Sequence, residues 1–449
     1  GTACAICSIR GCGERAGDVS WEGGPARQGT LQQREPYGIA QIVPRLRAVT
    51  HRLPELAARD SRVARRVREA VRAQLADGIA RGVCPGAVAA VVQGRQRPVL
   101  EALGHAQVVP RRVSMQIDTV FDLASLTKPV ATTTAILQLW EHGRIDHDAP
   151  VAHYLPDFAQ KGKAAATIRH LLAHTSGLPA WDMLYLPGPT RGGGPPAPAC
   201  RSITEAIARI CATPAAAPPG TRIEYSDLGF ILLGDLVERL SARLDIHART
   251  HIFEPLGMKH TRFVPPRSWR ARCAATEIGN AYERGRATEQ RLGPRFRWRT
   301  TLLRGEVHDG NAWHLGRGVA GHAGLFGTAS DLARFGRAML AGGALESARI
   351  LRRETVAEAT KNHTPGLDSQ PRGLGWALPG WPFLGTRASA SAFGHTGFTG
   401  TSLVLDPQRD LAIVLLTNRV HPRVEERAGG GIVAFRPVFH DAVIEACDG

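Results

Sequence analysis

Lysine is nearly missing from this 449-residue sequence: it supplies five of the 56 basic residues, and arginine supplies the rest. A formal net charge of +16 is typical of some nucleic-acid-binding proteins, because clustered basic side chains neutralise phosphates. The arginines, however, are spread over the whole chain. In their densest run, residues 60–82, apolar residues recur at every fourth position, so these arginines occupy the solvated face of an amphipathic helix. This distribution does not favour a nucleic-acid partner.

Long apolar runs are also missing. Residues 87–92 form the best local run, far below the roughly 18 apolar residues that a membrane-spanning helix needs. We therefore expect a soluble protein without a transmembrane segment. The sequence has no initiator Met and no pattern of a signal peptide, so a cytoplasmic protein and one exported after processing both stay open. The oligomeric state stays open as well.

Metal-binding patterns are weak. The cysteines Cys4, Cys7 and Cys12 crowd the start of the chain, but no second pair follows their C-x-x-C at zinc-site spacing. The five later cysteines have apolar or helical surroundings, which indicates small buried hydrophobes. His247 and His251 stand four residues apart without the glutamate of H-E-x-x-H. We expect no metal site.

The organisation of the chain indicates an α+β protein. Residues 1–58 are predicted to be an N-terminal extension with the composition of a disordered segment, and residues 59–449 one domain. Strand patterns flank a turn at Gly94 and another at residues 407–410, while residues from about 130 to 320 are largely helical. We therefore expect a mostly antiparallel sheet built from both ends of the domain, flanked by helices, with a helical region inserted between. The Gly/Pro-rich loop at residues 181–200 is either a lid or edge of a binding cleft or a disordered insertion.

The segment FDLASLTKPV, residues 121–130, places a serine and a lysine three positions apart. An extended stretch runs into a helix here, so Ser125 lies near a helix N-terminus and Lys128 follows on the same face. Pro129 fits that placement, because the first turn of a helix has N–H groups without partners. The helix dipole favours an oxyanion beside Ser125 and the neutral form of Lys128, as a nucleophile and its base require.

Two further motifs give this pair a context. Tyr225 and Asp227 lie in RIEYSDLGF, and His395, Thr396 and Gly397 lie in FGHTGFTG. The series S-L-T-K, Y-S-D and H-T-G resembles the S-x-x-K, Y-x-N and K/H-T-G motifs of the serine β-lactamase and penicillin-binding-protein superfamily. The likeness extends over roughly residues 60–449 and is most detailed with the class C β-lactamase-like branch, which includes D,D-carboxypeptidases, D-aminopeptidases and family VIII esterases. PGAVAAVV, IRHLLAHTSGLP and GVAGHAGLFGTASDLARF also resemble that branch.

The resemblance implies a β-lactamase/transpeptidase-like fold and an acyl-enzyme reaction without metal or organic cofactor. It makes Ser125 the acylated nucleophile and Lys128 the acceptor of its proton, while Tyr225 shares that work and protonates the leaving group. Residues 395–397 are implied to lie on the strand at the edge of the site. The backbone N–H groups of Ser125 and Phe398 are implied to form the oxyanion hole.

Two substitutions within these motifs bear on the substrate. Asp227 stands where the motif often has Asn, and an ionised carboxylate only accepts hydrogen bonds. His395 stands where K-T-G has Lys, and a neutral imidazole attracts a substrate carboxylate less. Both changes lower the positive potential, so we rank small carboxylic esters first, D-amino-acid peptides second and β-lactams third, since an alkoxide leaves with little protonation. A catalytically silent protein that binds cell-wall fragments is the alternative of another class.

Two histidines lie in stretches that also resemble the family. His174 in HTSG and His322 in GHAG stand beside predicted turns, which indicates structural hydrogen bonding. His322 could also line the cleft.

Overall fold

The computed structural model describes residues 62–188, 197–287, 296–424 and 430–449. The N-terminal extension with its three cysteines and the centre of the 181–200 loop lie outside these ranges. The predictions made for them, including the domain boundary near residue 59, stay predictions.

Within the described ranges the chain forms short helices and strands in alternation with two long terminal helices. The helices are α1 Arg62–Ala80, α2 Thr134–Glu141, α3 Val151–Tyr154, α4 Ile168–Leu172, α5 Ile203–Ala212, α6 Asp227–Leu240, α7 Leu244–Ala248, α8 Ala281–Arg286, α9 Gly310–His314, α10 Ala329–Leu340, α11 Arg353–Ala359 and α12 Gly431–Asp448. The strands are β1 Gly86–Gln93, β2 Val99–Gln107, β3 Val113–Ser114, β4 Phe121–Asp122, β5 Arg262–Phe263, β6 Ala275–Ile278, β7 Leu302–Arg304, β8 Leu325–Gly327, β9 Ala344–Leu345, β10 Ala348–Arg349, β11 Phe393–Thr396, β12 Ser402–Asp406 and β13 Leu411–Thr417.

The main sheet joins the two ends of the described chain. Its six strands lie in the order β11-β12-β13-β1-β2-β3, and all neighbours are antiparallel. The central pair is β1 with β13, in a register that sets Ala87 opposite Thr417 and Gln93 opposite Leu411. The expectation of a mostly antiparallel sheet built from distant segments is confirmed, as are the turns at Gly94 and at residues 407–410.

Both faces of this sheet are buried, so its central strands read as continuous apolar runs. On one face α1 and α12 pack through Val71, Leu75 and Phe439 against side chains such as Ile413 and Leu415. Alternate residues of β13, among them Val414, point to the other face and join the core that contains α2, α6 and α10. The helical stripe predicted in residues 60–82 is therefore one of the two covers of the sheet.

The last helix of the domain, α12, begins at Gly431 and has Pro437 inside it. The five later cysteines are buried, as expected for small hydrophobes. In the described part of the chain, even the longest helices fall short of the length and apolarity that a membrane crossing requires.

Candidate active site

Ser125 emerges from a segment that is otherwise wholly internal. Every residue from 119 to 139 is buried except Ser125. The turn before it places Ala124 at φ +48°, a left-handed conformation that non-glycine residues adopt at some cost. Asp122 stabilises this turn, because its Oδ1 accepts a hydrogen bond of 2.9 Å from the Ala124 N–H. A tight turn thus directs one hydroxyl out of the core.

Lys128 lies directly behind Ser125. It starts a π-helical turn, Lys128–Thr133, that continues into α2, with Pro129 in the first turn as expected. Its side chain is fully buried. The Lys128 Nζ lies 3.0 Å from Ser125 Oγ, donates to the His322 carbonyl oxygen at 3.1 Å, and lies 2.6 Å from Asp227 Oδ1.

The charge of Lys128 differs from the expectation. Burial alone lowers the pKa of this amine, but Asp227 and then Tyr225 outweigh burial and raise the pKa above its ordinary value. The neighbouring carboxylate therefore has more influence on the pKa of Lys128 than the weak field of a helix end. The contact with Asp227 and the raised pKa favour the ammonium form of Lys128 in the resting site.

Tyr225 and Asp227 enter the site at the start of α6. Ser226 between them caps the helix: its Oγ accepts from the Gly229 N–H and donates to the Pro179 carbonyl. The Ser226 N–H donates to His174 Nδ1 at 3.0 Å, and the His174 ring lies 4.4 Å from the Tyr225 ring. The ring centroid of Tyr225 is 4.9 Å from Lys128 Nζ. His174 thus has the structural role that its motif indicated.

The turn after β11 lies against the segment that carries Ser125. A Cβ at Gly397 would lie 2.6 Å from the Leu123 carbonyl oxygen, so only glycine fits this approach. Thr399 and Thr401 bind the segment through their hydroxyls, which donate to the carbonyls of Asp122 and Leu123. Thr399 and Thr401 were not predicted from the sequence, although both belong to the run HTGFTGT, which begins within β11. They fix the distance between Ser125 and the H-T-G strand.

Ser125 opens into a cleft of about 460 Å³. Six of the eight predicted site residues line it: Ser125, Tyr225, Asp227, Thr396, Gly397 and Phe398. Within the described ranges, the N–H groups of Ser125 and Phe398 have no hydrogen-bond partner. Two such donors on residues that line the cleft meet the first requirement of an oxyanion hole.

His395 does not line this cleft. It is buried behind Tyr225, with ring centroids 6.0 Å apart, in a separate cavity of about 210 Å³. Burial, with Lys128 and Arg372 nearby, holds the pKa of His395 well below its ordinary value, so the ring is neutral. Arg372 is stacked 4.0 Å from the ring of Trp381 in the same cavity. The motif implied that His395 contacts a substrate in the cleft. Its placement in the separate cavity does not favour such a contact.

His322 and carboxylates that the motifs did not single out form one wall of the cleft. His322 donates from Nε2 to Asp309 Oδ1 at 2.9 Å, and this contact holds the pKa of Asp309 low despite its burial. Glu283 accepts hydrogen bonds from the Tyr185 hydroxyl and the Gly310 N–H. Burial, with Asp309 nearby, raises the pKa of Glu283 to about 7. His322 therefore combines the two roles considered for it: its carbonyl holds Lys128 and its ring lines the cleft.

Arginines form another part of the cleft wall. Arg419 donates from Nε to the Phe398 carbonyl at 2.8 Å, and Arg436 donates from Nη2 to the carbonyls of Gly397 and Thr401. Arg286 lies across the ring of Trp181 from the 181–200 loop. Nothing in the motifs marks these arginines, since they are three among many in an arginine-rich chain.

Other clusters of polar residues are engaged in ion pairs and hydrogen bonds of their own. Asp146, His147 and Asp148 lie close enough together to suggest a cation site, but Arg169 already contacts both oxygens of Asp148 at 2.6 and 2.8 Å. His247 uses both ring nitrogens, with Ser241 at 2.8 Å and Gln138 at 3.0 Å as partners. These groups are ion-pair and hydrogen-bond networks.

Known proteins match this chain over most of the described domain. The Beta-lactamase family model matches residues 65–434. An "N-acetylmuramyl-L-alanine amidase" of Bacillus subtilis is 34% identical over 365 residues, which cover 76% of this chain and 78% of that protein. A protein of Salmonella agona, to which the activity of a D-alanyl-D-alanine carboxypeptidase is ascribed, is 36% identical over 325 residues, covering 68% and 71%. The structure of a penicillin-binding-protein homolog from Caulobacter crescentus superposes with a TM-score of 0.63 at 24% identity, covering 86% and 98%.

The observed fold, the order of the three sequence motifs and the length of these matches all indicate the same family. The expected β-lactamase/transpeptidase-like fold and the expected hydrolase class are confirmed. The chain belongs to the β-lactamase family of serine hydrolases.

Proposed function

We propose that the protein is an acyl-enzyme-forming amidase that cleaves the amide bond to an alanine-type amino acid with a free carboxylate. The observation that carries this proposal is the contact of 3.0 Å between Ser125 Oγ and Lys128 Nζ beside Tyr225, at the mouth of a cleft. A nucleophile within hydrogen-bond reach of an amine is the arrangement that covalent catalysis needs. The intact contact also favours an enzyme over a silent binding protein.

The relatives support the choice of bond. The names of the Bacillus and Salmonella proteins both describe an amide bond to alanine. Cleavage of such a bond releases an amine, which must be protonated as it leaves. In this site Lys128 and Tyr225 lie beside Ser125 and can supply that proton.

The proposed reaction has two steps. Ser125 Oγ attacks the carbonyl carbon while Lys128, in its neutral form, takes the hydroxyl proton, and the N–H groups of Ser125 and Phe398 stabilise the oxyanion. The C–N bond then breaks, and the proton passes through Lys128 and Tyr225 to the departing nitrogen. Water attacks the resulting ester of Ser125 and releases the carboxylic acid. Because Asp227 favours the ammonium form of Lys128, the active fraction of the enzyme rises with pH.

Small carboxylic esters become the second candidate. Their first rank rested on a weak positive potential in the site, but Arg419 and Arg436 line the cleft. An alkoxide still leaves more readily than an amine, so esters remain chemically accessible. β-Lactams stay third.

The experiment compares N-acetylmuramyl-L-alanine, an acyl-D-alanyl-D-alanine peptide, p-nitrophenyl acetate and nitrocefin by kcat/KM. We expect measurable turnover of at least one alanine amide, and loss of all turnover in Ser125→Ala. A fluorophosphonate probe should label the wild type and not Ser125→Ala. Hydrolysis of the ester without cleavage of either amide would contradict the amidase proposal, and labelling that survives Ser125→Ala would contradict the nucleophile.

A further inference from the structure

We propose that Arg419 and Arg436 form an anion subsite that binds the free carboxylate of the departing amino acid. This inference rests on the proposed function and names the residues that select its substrate. Both residues line the cleft into which Ser125 opens.

The first support is burial without a counter-ion. Arg436 is only 7% exposed, Arg419 is half-buried, and neither has a carboxylate within ion-pair distance in the described ranges. Burial and the neighbouring Arg419 lower the pKa of Arg436 to about 9. Two adjacent cations removed from water are costly unless an anion compensates them. The substrate is the source of that anion.

The second support is unused hydrogen-bonding capacity. A guanidinium carries five N–H donors and matches a carboxylate with two parallel hydrogen bonds. Arg419 uses Nε for the Phe398 carbonyl, and Arg436 uses Nη2 for the carbonyls of Gly397 and Thr401. The Nε of Arg436 is buried and has no partner. Donors thus remain for a ligand.

The third support is position. Both arginines contact residues 397–398, the turn that also presents the Phe398 N–H to the cleft. An anion bound to them therefore lies next to the carbonyl that Ser125 attacks. The positive charge that a K-T-G motif would supply at position 395 is supplied here by Arg419, two residues past the end of β13, and by Arg436 on α12.

The experiment uses matched substrates that differ only in charge: N-acetylmuramyl-L-alanine against its alaninamide, and acyl-D-alanyl-D-alanine against its C-terminal amide. We expect the wild type to prefer the free acid by about 10- to 100-fold in kcat/KM, the value of a charge-assisted pair of hydrogen bonds. Arg419→Met and Arg436→Met should each lower this ratio at least about tenfold. An unchanged ratio in both variants overturns the subsite.

Control variants distinguish two roles of these arginines: binding the anion and supporting the turn at residues 397–398. Arg144→Met removes an exposed arginine without a side-chain partner in the described ranges, and should leave the ratio unchanged. Arg419→Lys and Arg436→Lys keep a cation but lose the two-point geometry, so they should give intermediate ratios and also serve if a Met variant unfolds. A purely structural role would lower kcat/KM for acid and amide alike, which counts against the proposal.

A separate readout covers the case in which the wild type cleaves neither amide. N-acetyl-D-alanine should then inhibit hydrolysis of p-nitrophenyl acetate more strongly than N-acetyl-D-alaninamide does. Loss of that difference in the Met variants supports the anion subsite even though the amidase proposal has failed. Equal inhibition of wild type and variants overturns the subsite.

Discussion

Gly321 offers a way to displace one contact of Lys128 without changing any side chain of the cleft. A Cβ at this position would lie 2.0 Å from the Phe230 carbonyl oxygen and 2.9 Å from the backbone nitrogen of Gly234. An ordinary carbon–oxygen contact is about 3.3 Å, so in Gly321→Ala the segment must retreat from α6 by roughly 1.3 Å. Overpacking of this kind costs about 1–3 kcal/mol of unfolding free energy.

The same retreat moves the neighbouring carbonyl of His322, which now accepts from Lys128 Nζ at 3.1 Å. A displacement of about 1 Å near reacting groups can lower a rate roughly 100-fold, so kcat/KM should fall by about one to two orders of magnitude. Chemical denaturation and steady-state kinetics measure the two effects. Gly285→Ala is the control, because nothing lies within 4 Å of its Cβ and the site is in α8. If Gly321→Ala keeps the stability and the kcat/KM of the wild type, this close approach does not position Lys128.

Three further outcomes follow from the charges of the site. In Asp227→Asn the pKa of Lys128 loses its main raising influence, so the rise of kcat/KM with pH should move to lower pH; an unmoved profile contradicts Lys128 as the base. Because burial raises the pKa of Glu283 to about 7, ionising it weakens folding between about pH 4.5 and 7; Glu283→Gln should gain stability over the wild type from pH 5 to pH 8, and a constant difference speaks against this sign. His395→Lys places a second cation beside Arg372, so the melting temperature should fall without a gain in preference for carboxylates; a gain would show that residue 395 does contact substrate.

The sequence was informative where local patterns and motif order control the outcome. Three patterns correspond to observed elements: the apolar residues at every fourth position of α1, the two hairpin turns, and the S-x-x-K segment. The state of Lys128 was missed because it depends on a carboxylate 99 residues away in sequence, whose 2.6 Å contact only the tertiary fold creates. Arg419 and Arg436 were missed for a different reason: arginine is so common here that its type carries no signal, and only the tertiary fold brings these two together at residues 397–398.

The burial of every residue from 119 to 139 except Ser125 has a consequence for how this enzyme can change. A substitution near the nucleophile disturbs the core before it alters the cleft. The conformation of residues 119–139 is therefore tightly constrained. Three residues of the other walls are less restricted: Trp181, Arg286 and Val433 line the cleft but are not buried, so these side chains can vary without unpacking the sheet. New specificities should therefore arise by exchange of these outer walls around an unchanged reactive centre, and a library built on them would keep the fold while it samples substrates.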